Sequence, residues 1–137
     1  MKTQICLNKK MIFAVIAVFA LILGGCVSGK QKLVDQGNKP LTNMELKEIF
    51  TQKQVADGTN SEGHSFVVTW LPDGSQSALS SSGKTYTGTY YFDGDKYCSK
   101  LDHRDFVRCT TWFKVGENKY KLFREGEPGG STLVLRE

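Results

Sequence analysis

Three hydrophobic rhythms follow one another along the 137-residue chain. The first is an unbroken apolar run over 11–23. A small, polar and charged stretch follows over 27–40, broken by Gly29, Gly37 and Pro40. The second rhythm is helical. Leu46, Ile49 and Phe50 recur at i, i+3 and i+4, just after Thr42-Asn43-Met44-Glu45. In that tetrapeptide the Thr42 hydroxyl can accept from the Glu45 amide while Glu45 reaches back, so a short helix is expected over about 43–53. Beyond Asp57-Gly58 the period becomes two. Phe66, Val68 and Trp70 alternate along one strand, and Pro72-Asp73-Gly74 turns it. A serine-rich strand reaches about Ser81, and a threonine- and tyrosine-rich strand runs over 85–92. Asp93-Gly94 turns into strands over 96–101 and 106–115. Gly116-Glu117-Asn118 and Pro128-Gly129-Gly130 lead into strands over 119–124 and 131–136. The pattern predicts a mainly β domain over 41–137. A short N-terminal helix precedes an antiparallel meander of about seven strands, forming a small barrel or half-barrel.

The N-terminal run changes the picture from fold to location. Lys2, Lys9 and Lys10 precede it, and Gly24, Gly25 and Cys26 end it. A basic start, an apolar stretch too short to span a bilayer and small residues at a cleavage point mark a secretory signal. Leu23-Gly24-Gly25-Cys26 resembles the lipobox of bacterial lipoproteins. The resemblance implies cleavage after residue 25 and acylation of Cys26. Two or more acyl chains give durable attachment, so the membrane is the first expected partner. Residues 1–25 then form the signal peptide and 26–40 a flexible tether. Val27 stands where an aspartate would retain a Gram-negative lipoprotein at the inner membrane, which points to the outer membrane with the domain in the periplasm.

Export also changes the meaning of charge and cysteine. Three of the 18 basic residues precede Cys26, which leaves 15 against 14 acidic residues. No basic run remains to hold a polyanion, and no nucleic-acid partner is expected. Cys6 leaves with the signal and Cys26 takes lipid. Cys98 and Cys109 remain as a pair in an oxidising compartment, where they are expected to form one disulfide. Their spacing fits neither a CxxC redox pair nor a zinc site. Placed on consecutive strands, they would staple a hairpin around Asp102-His103-Arg104-Asp105. His103 with Asp102 and Asp105 is a cluster with metal or base potential, whereas Asp93-Gly94-Asp95 lacks the further acidic ligands of a calcium loop and reads as a hairpin turn. His64 reads as a strand-edge residue. No nucleophile–base, P-loop, dinucleotide or zinc-protease motif occurs. No catalytic residue, metal or cofactor is expected.

The domain resembles a family of small bacterial secreted proteins and lipoproteins of uncharacterised function, over about 41–134. The resemblance rests on the helix Leu41-Thr42-x-x-Glu45-Leu46-x-x-Ile49-Phe50, then Gly58-Thr59, Pro72-Asp73-Gly74, Gly83 and Thr87-Gly88-Thr89-Tyr90. It continues through Gly94-Asp95-x-Tyr97-Cys98, Cys109 and Gly116-Glu117-Asn118-Lys119-Tyr120. It implies a fold and a compartment, not an activity. Separately, Ser82-Gly83-x-x-Tyr86 resembles the SGxxY loop of periplasmic inhibitors of c-type lysozyme, which implies a binding loop of Ser82, Gly83 and Tyr86. Those inhibitors carry their cysteines near the ends of the domain, whereas here they lie mid-chain. The expected function is an outer-membrane-anchored binding or accessory module of the cell envelope, acting on a protein partner. One alternative is inhibition of a cell-wall hydrolase. Another is a small-ligand carrier using the face shared by Tyr86, Tyr90 and Phe92.

Overall fold

A computed structural model describes residues 28–137; the expected signal segment over 1–25 and the expected acylation site Cys26 lie outside the described residues. Two short helices, α1 (Gly29–Asp35) and α2 (Asn43–Ile49), precede eight strands. These are β1 (Gln54–Thr59), β2 (Ser65–Trp70), β3 (Ser75–Ser80), β4 (Thr85–Asp93), β5 (Lys96–Leu101), β6 (Arg108–Gly116), β7 (Lys119–Arg124) and β8 (Gly130–Leu135). Each strand pairs antiparallel with the next, and β8 returns to β1, so the sheet closes into a small barrel. Closure removes both sheet edges and their unpaired amides.

The meander is the expected one with an added strand. β1 carries Asp57-Gly58, which reads locally as a turn, yet it pairs with β2 from Gln54↔Trp70 to Thr59↔Ser65 and with β8 from Ala56↔Leu135 to Thr59↔Thr132. Its inward positions are small because neighbouring rings fill the space. A Cβ on Gly58 would lie 2.2 Å from the Phe66 ring. Arg136 closes the outer side of the seam, donating to both Asp57 carboxylate oxygens, at 2.9 Å from Nε and 2.6 Å from Nη2. Gly88 in β4 marks a close backbone approach. A Cβ there would sit 2.1 Å from the Lys100 carbonyl oxygen.

α2 begins at the capping box: Thr42 Oγ1 accepts from Glu45 N, and Thr42 N donates to Glu45 Oε2 at 2.8 Å. It ends at Ile49, four residues before the expected limit, with Phe50 as C-cap. Leu46 and Phe50 enter the core. The Phe50 ring lies 5.2–5.8 Å from the rings of Trp70, Tyr90, Phe92, Tyr97 and Trp112. An eight-stranded barrel is just wide enough for side chains to fill, and α2 supplies the plug. Buried polar groups run through the same interior. Trp70 Nε1 donates to Tyr97 Oη at 2.8 Å, Tyr97 Oη donates to Gln76 Oε1, and Gln76 Nε2 donates to the Thr89 carbonyl at 3.2 Å.

Where a tether was expected over 26–40, residues 28–41 fold onto the outside of the barrel. Ser28 caps α1 by accepting from Gln31 N. Gly37 at φ 86° ends it, with its amide on Val34 O. Pro40 bridges to Phe113, and Leu41 N donates to Trp112 O at 2.8 Å. Phe113 and Phe123 alternate with inward Trp112 and Leu122, so they face outward, yet both are buried, with ring centroids 5.8 Å apart. Gly29 lies against Phe123 closely enough that a Cβ would meet its ring at 3.2 Å. This outer apolar pair is the physical reason the segment docks: two large rings would otherwise face water.

Candidate binding rim

Strand alternation gives the barrel two unlike ends. α2 closes one, where Asn43 N donates to Asp95 Oδ1 at 2.7 Å across the β4–β5 turn. The opposite rim is made of the loops over 60–64, 81–84, 102–107 and 125–129.

The three residues singled out as a binding loop lie on this rim. Ser82 and Gly83 form the β3–β4 tip and are exposed. Gly83 takes φ 83°, its amide donates to Ser80 O, and the Ser82 and Ser80 hydroxyls pair at 2.8 Å. Tyr86 stands inside β4, half-buried. Its ring centroid is 4.5 Å from that of His103, and Lys84 Nζ is 5.2 Å from the same ring. The structure therefore brings the serine–glycine tip and the disulfide loop to one side of the molecule. Within the Asp102-His103-Asp105 group, Asp102 is turned to Thr87. Thr87 Oγ1 donates to Asp102 Oδ2 at 2.7 Å, and Asp102 N donates to Thr87 O at 2.9 Å. Among the described residues, no three His, Cys, Asp or Glu side chains converge as a metal site. His64 sits at the β1–β2 loop, exposed, 3.6 Å from Glu62.

Cys98 and Cys109 are bonded, directly opposite each other on β5 and β6 with Cα atoms 4.0 Å apart. The bond holds the base of the 102–107 loop. That loop contributes features the sequence reading missed. Phe106 is 51% exposed and lies between two guanidiniums, with Arg104 Cζ at 5.8 Å and Arg108 Cζ at 5.3 Å from its centroid. The expected strand began at Phe106, but β6 begins at Arg108, which leaves Phe106 and Val107 on the loop. Arg108 pairs in register with Ser99, and Arg124 pairs with Thr110, one step further round. Arg124 is held by Glu127. The Arg108 Nε is buried and has no hydrogen-bond partner among the described residues. Burial, then the neighbouring Arg104 and Arg124 charges, push the Arg108 guanidinium below its usual value. No run of basic residues in the sequence signals this cluster. The one hint is the alternation through Trp112 and Thr110, which puts Arg108 on the inward phase of β6.

The rim can recognise anions and aromatic or apolar groups through guanidiniums and exposed rings. The face shared by Tyr90 and Phe92 is turned to a different use, packing around Phe50. No protein-family model, curated protein or solved structure matches this chain.

Proposed function

We propose that this protein is a lipid-anchored module of the bacterial outer membrane, held through acylated Cys26 with its barrel in the periplasm, and that it acts by binding an envelope protein. The observation that carries the binding reading is the asymmetry of the barrel. One end is sealed by α2, while the other presents Tyr86 from β4 beside His103, Arg104 and Phe106 on a loop based at a disulfide. Aromatic and arginine side chains on a rigid base are what protein-binding hot spots are made of. Photo-crosslinkers placed at Ser82, at the exposed β3–β4 tip of the rim, and at Met44, on the sealed end, test the orientation in cells. Adducts confined to Ser82 support it, and adducts confined to Met44 reverse it. For the anchor, the intact mass of the mature chain is expected to exceed that of residues 26–137 by two or three acyl chains. A Cys26→Ser chain is expected to lose them.

A second reading, inhibition of a c-type lysozyme or another cell-wall hydrolase, is favoured by the exposed Ser82–Gly83 tip on the same rim as Tyr86. Residual lysozyme activity against the wild type and the Ser82→Ala/Tyr86→Ala chain decides it. Loss of inhibition in the variant supports the reading, and a wild type without inhibition ends it. The carrier reading draws no support from the barrel interior, which Phe50, Trp70, Tyr97 and Trp112 occupy.

A further inference from the structure

At the rim, over the strand ends of β6 and β7 and beside α1 and β5, lies a half-open concavity of about 330 Å³. Four cations line it: Lys30 from α1, Lys96 from β5, Arg108 from β6 and Arg124 from β7. Glu125 is the single acid in the lining, and it is taken up by Lys96 at 3.2 Å. Arg124 is taken up by Glu127. Among the described residues, neither Lys30 nor Arg108 has a carboxylate within salt-bridge distance. Residues 1–27 contain no Asp or Glu that could supply one. Arg108 additionally carries the buried, unpartnered Nε. Leaving a charged donor buried and unbonded is costly, and a phosphate oxygen is the strong, geometrically matched acceptor for a guanidinium.

The position of Lys30 indicates where that phosphate comes from. Lys30 is four residues from Cys26, a reach of at most about 14 Å. An acyl anchor at Cys26 therefore keeps the concavity at the headgroup layer. Phe106 and Val107, 51% and 43% exposed, stand at its edge. Exposed apolar side chains beside unpaired cations are the composition of a membrane-facing surface.

We propose that this concavity binds the phosphate of anionic membrane lipids, so that the protein holds its own bilayer at two points, the acyl chains and the Lys30–Arg108 pair. The inference rests on the anchoring at Cys26. Docking on the bilayer fixes the barrel's orientation and decides which part of the rim is left for a partner. Each cation near an anionic surface strengthens binding by about five-fold.

The test uses the full acylated chain in a non-ionic detergent, titrated calorimetrically with dihexanoyl phosphatidylglycerol, dihexanoyl phosphatidylcholine and inorganic phosphate. Saturable binding of phosphatidylglycerol, weakened by salt and at least about five-fold tighter than phosphatidylcholine, is expected. Arg108→Gln and, separately, the α1 change Lys30→Gln should each weaken it by about five-fold. The second variant leaves the barrel wall intact, so a folding defect in the first does not decide the matter. Equal binding of the two lipids, or wild-type affinity in both variants, overturns the proposal. Inorganic phosphate binding as tightly as the lipid overturns its membrane source. The intact mass of the same sample separates the two readings. An unacylated chain that binds phosphatidylglycerol sinks the anchor but upholds the site, and an acylated chain that binds no lipid phosphate sinks the site alone.

Discussion

Tyr97→Phe removes one oxygen from the centre of the barrel and leaves every ring contact in place. In the wild type that oxygen accepts from the Trp70 indole and donates to the Gln76 carbonyl, and both partners are buried. Neither can turn to water. Each orphaned buried group costs about 1–3 kcal/mol, so the pair costs about 2–6 kcal/mol. A domain of this size has about 5–15 kcal/mol in all. At about 4 °C per kcal/mol, the midpoint of thermal unfolding should fall by about 8–24 °C. The assay is a thermal melt of the oxidised protein followed by circular dichroism. Tyr91→Phe on the exposed face of β4 serves as the control that changes the same chemistry in water. Gln76→Leu added to Tyr97→Phe should recover part of the loss, because one orphaned acceptor is then replaced by an apolar group. A Tyr97→Phe melt indistinguishable from that of Tyr91→Phe would show that the Trp70–Tyr97–Gln76 chain contributes nothing, and the reasoning would fail.

Three further expectations follow from the same structure. Replacing both Cys98 and Cys109 by serine releases an 11-residue separation and should lower stability by about 3 kcal/mol in the chain-entropy model, measured by urea unfolding; an unchanged midpoint would contradict it. Gly88→Ala drives a Cβ to 2.1 Å from the Lys100 carbonyl, so the β4–β5 pair must shift at a cost of about 1–3 kcal/mol; exchange of the Asp102 amide, which bonds Thr87 O across that pair, should quicken before those of β1. The pH profile has two flanks. Hydrogen bonds from Arg136 and from Ser75 hold Asp57 and Asp73 below the ordinary 3.8. Their stabilisation is present above the unfolded value and lost as pH falls through the depressed folded ones. Burial raises Tyr97, Tyr90 and Tyr120 above 10.0. Their stabilisation is complete below the unfolded value and lost as pH climbs toward the folded ones. Urea midpoints should therefore fall at acid and alkaline extremes. Tyr97→Phe should flatten part of the alkaline flank, and an unaltered flank would refute the assignment to Tyr97.

Much of the barrel was legible in the chain because its signals are local. Alternation through Phe66, Val68 and Trp70, the turns at Asp73-Gly74 and Asp93-Gly94, and the Thr42–Glu45 capping box each act over a few residues, and each element stands where its pattern puts it. The Cys98–Cys109 bond was legible as well, since two cysteines on consecutive strands have few other partners. β1 was not. Its inward positions, Ala56 and Gly58, are small because Phe66 from the next strand covers Gly58. A strand whose volume is filled by a neighbour carries no hydrophobic alternation of its own. Nor was the docking of 28–41, which depends on Phe113 and Phe123 facing outward on strands far along the chain. The basic concavity belongs to the same class. Lys30, Lys96, Arg108 and Arg124 are dispersed over nearly a hundred positions, and from residue 26 onward basic and acidic side chains nearly balance. The sequence by itself determined seven of the eight strands, their turns, the start of α2 and the disulfide, because each is set by neighbours in the chain. Only the tertiary structure decided barrel closure, the Phe50 plug and the gathering of four cations around one concavity, because those depend on which distant side chains share a volume.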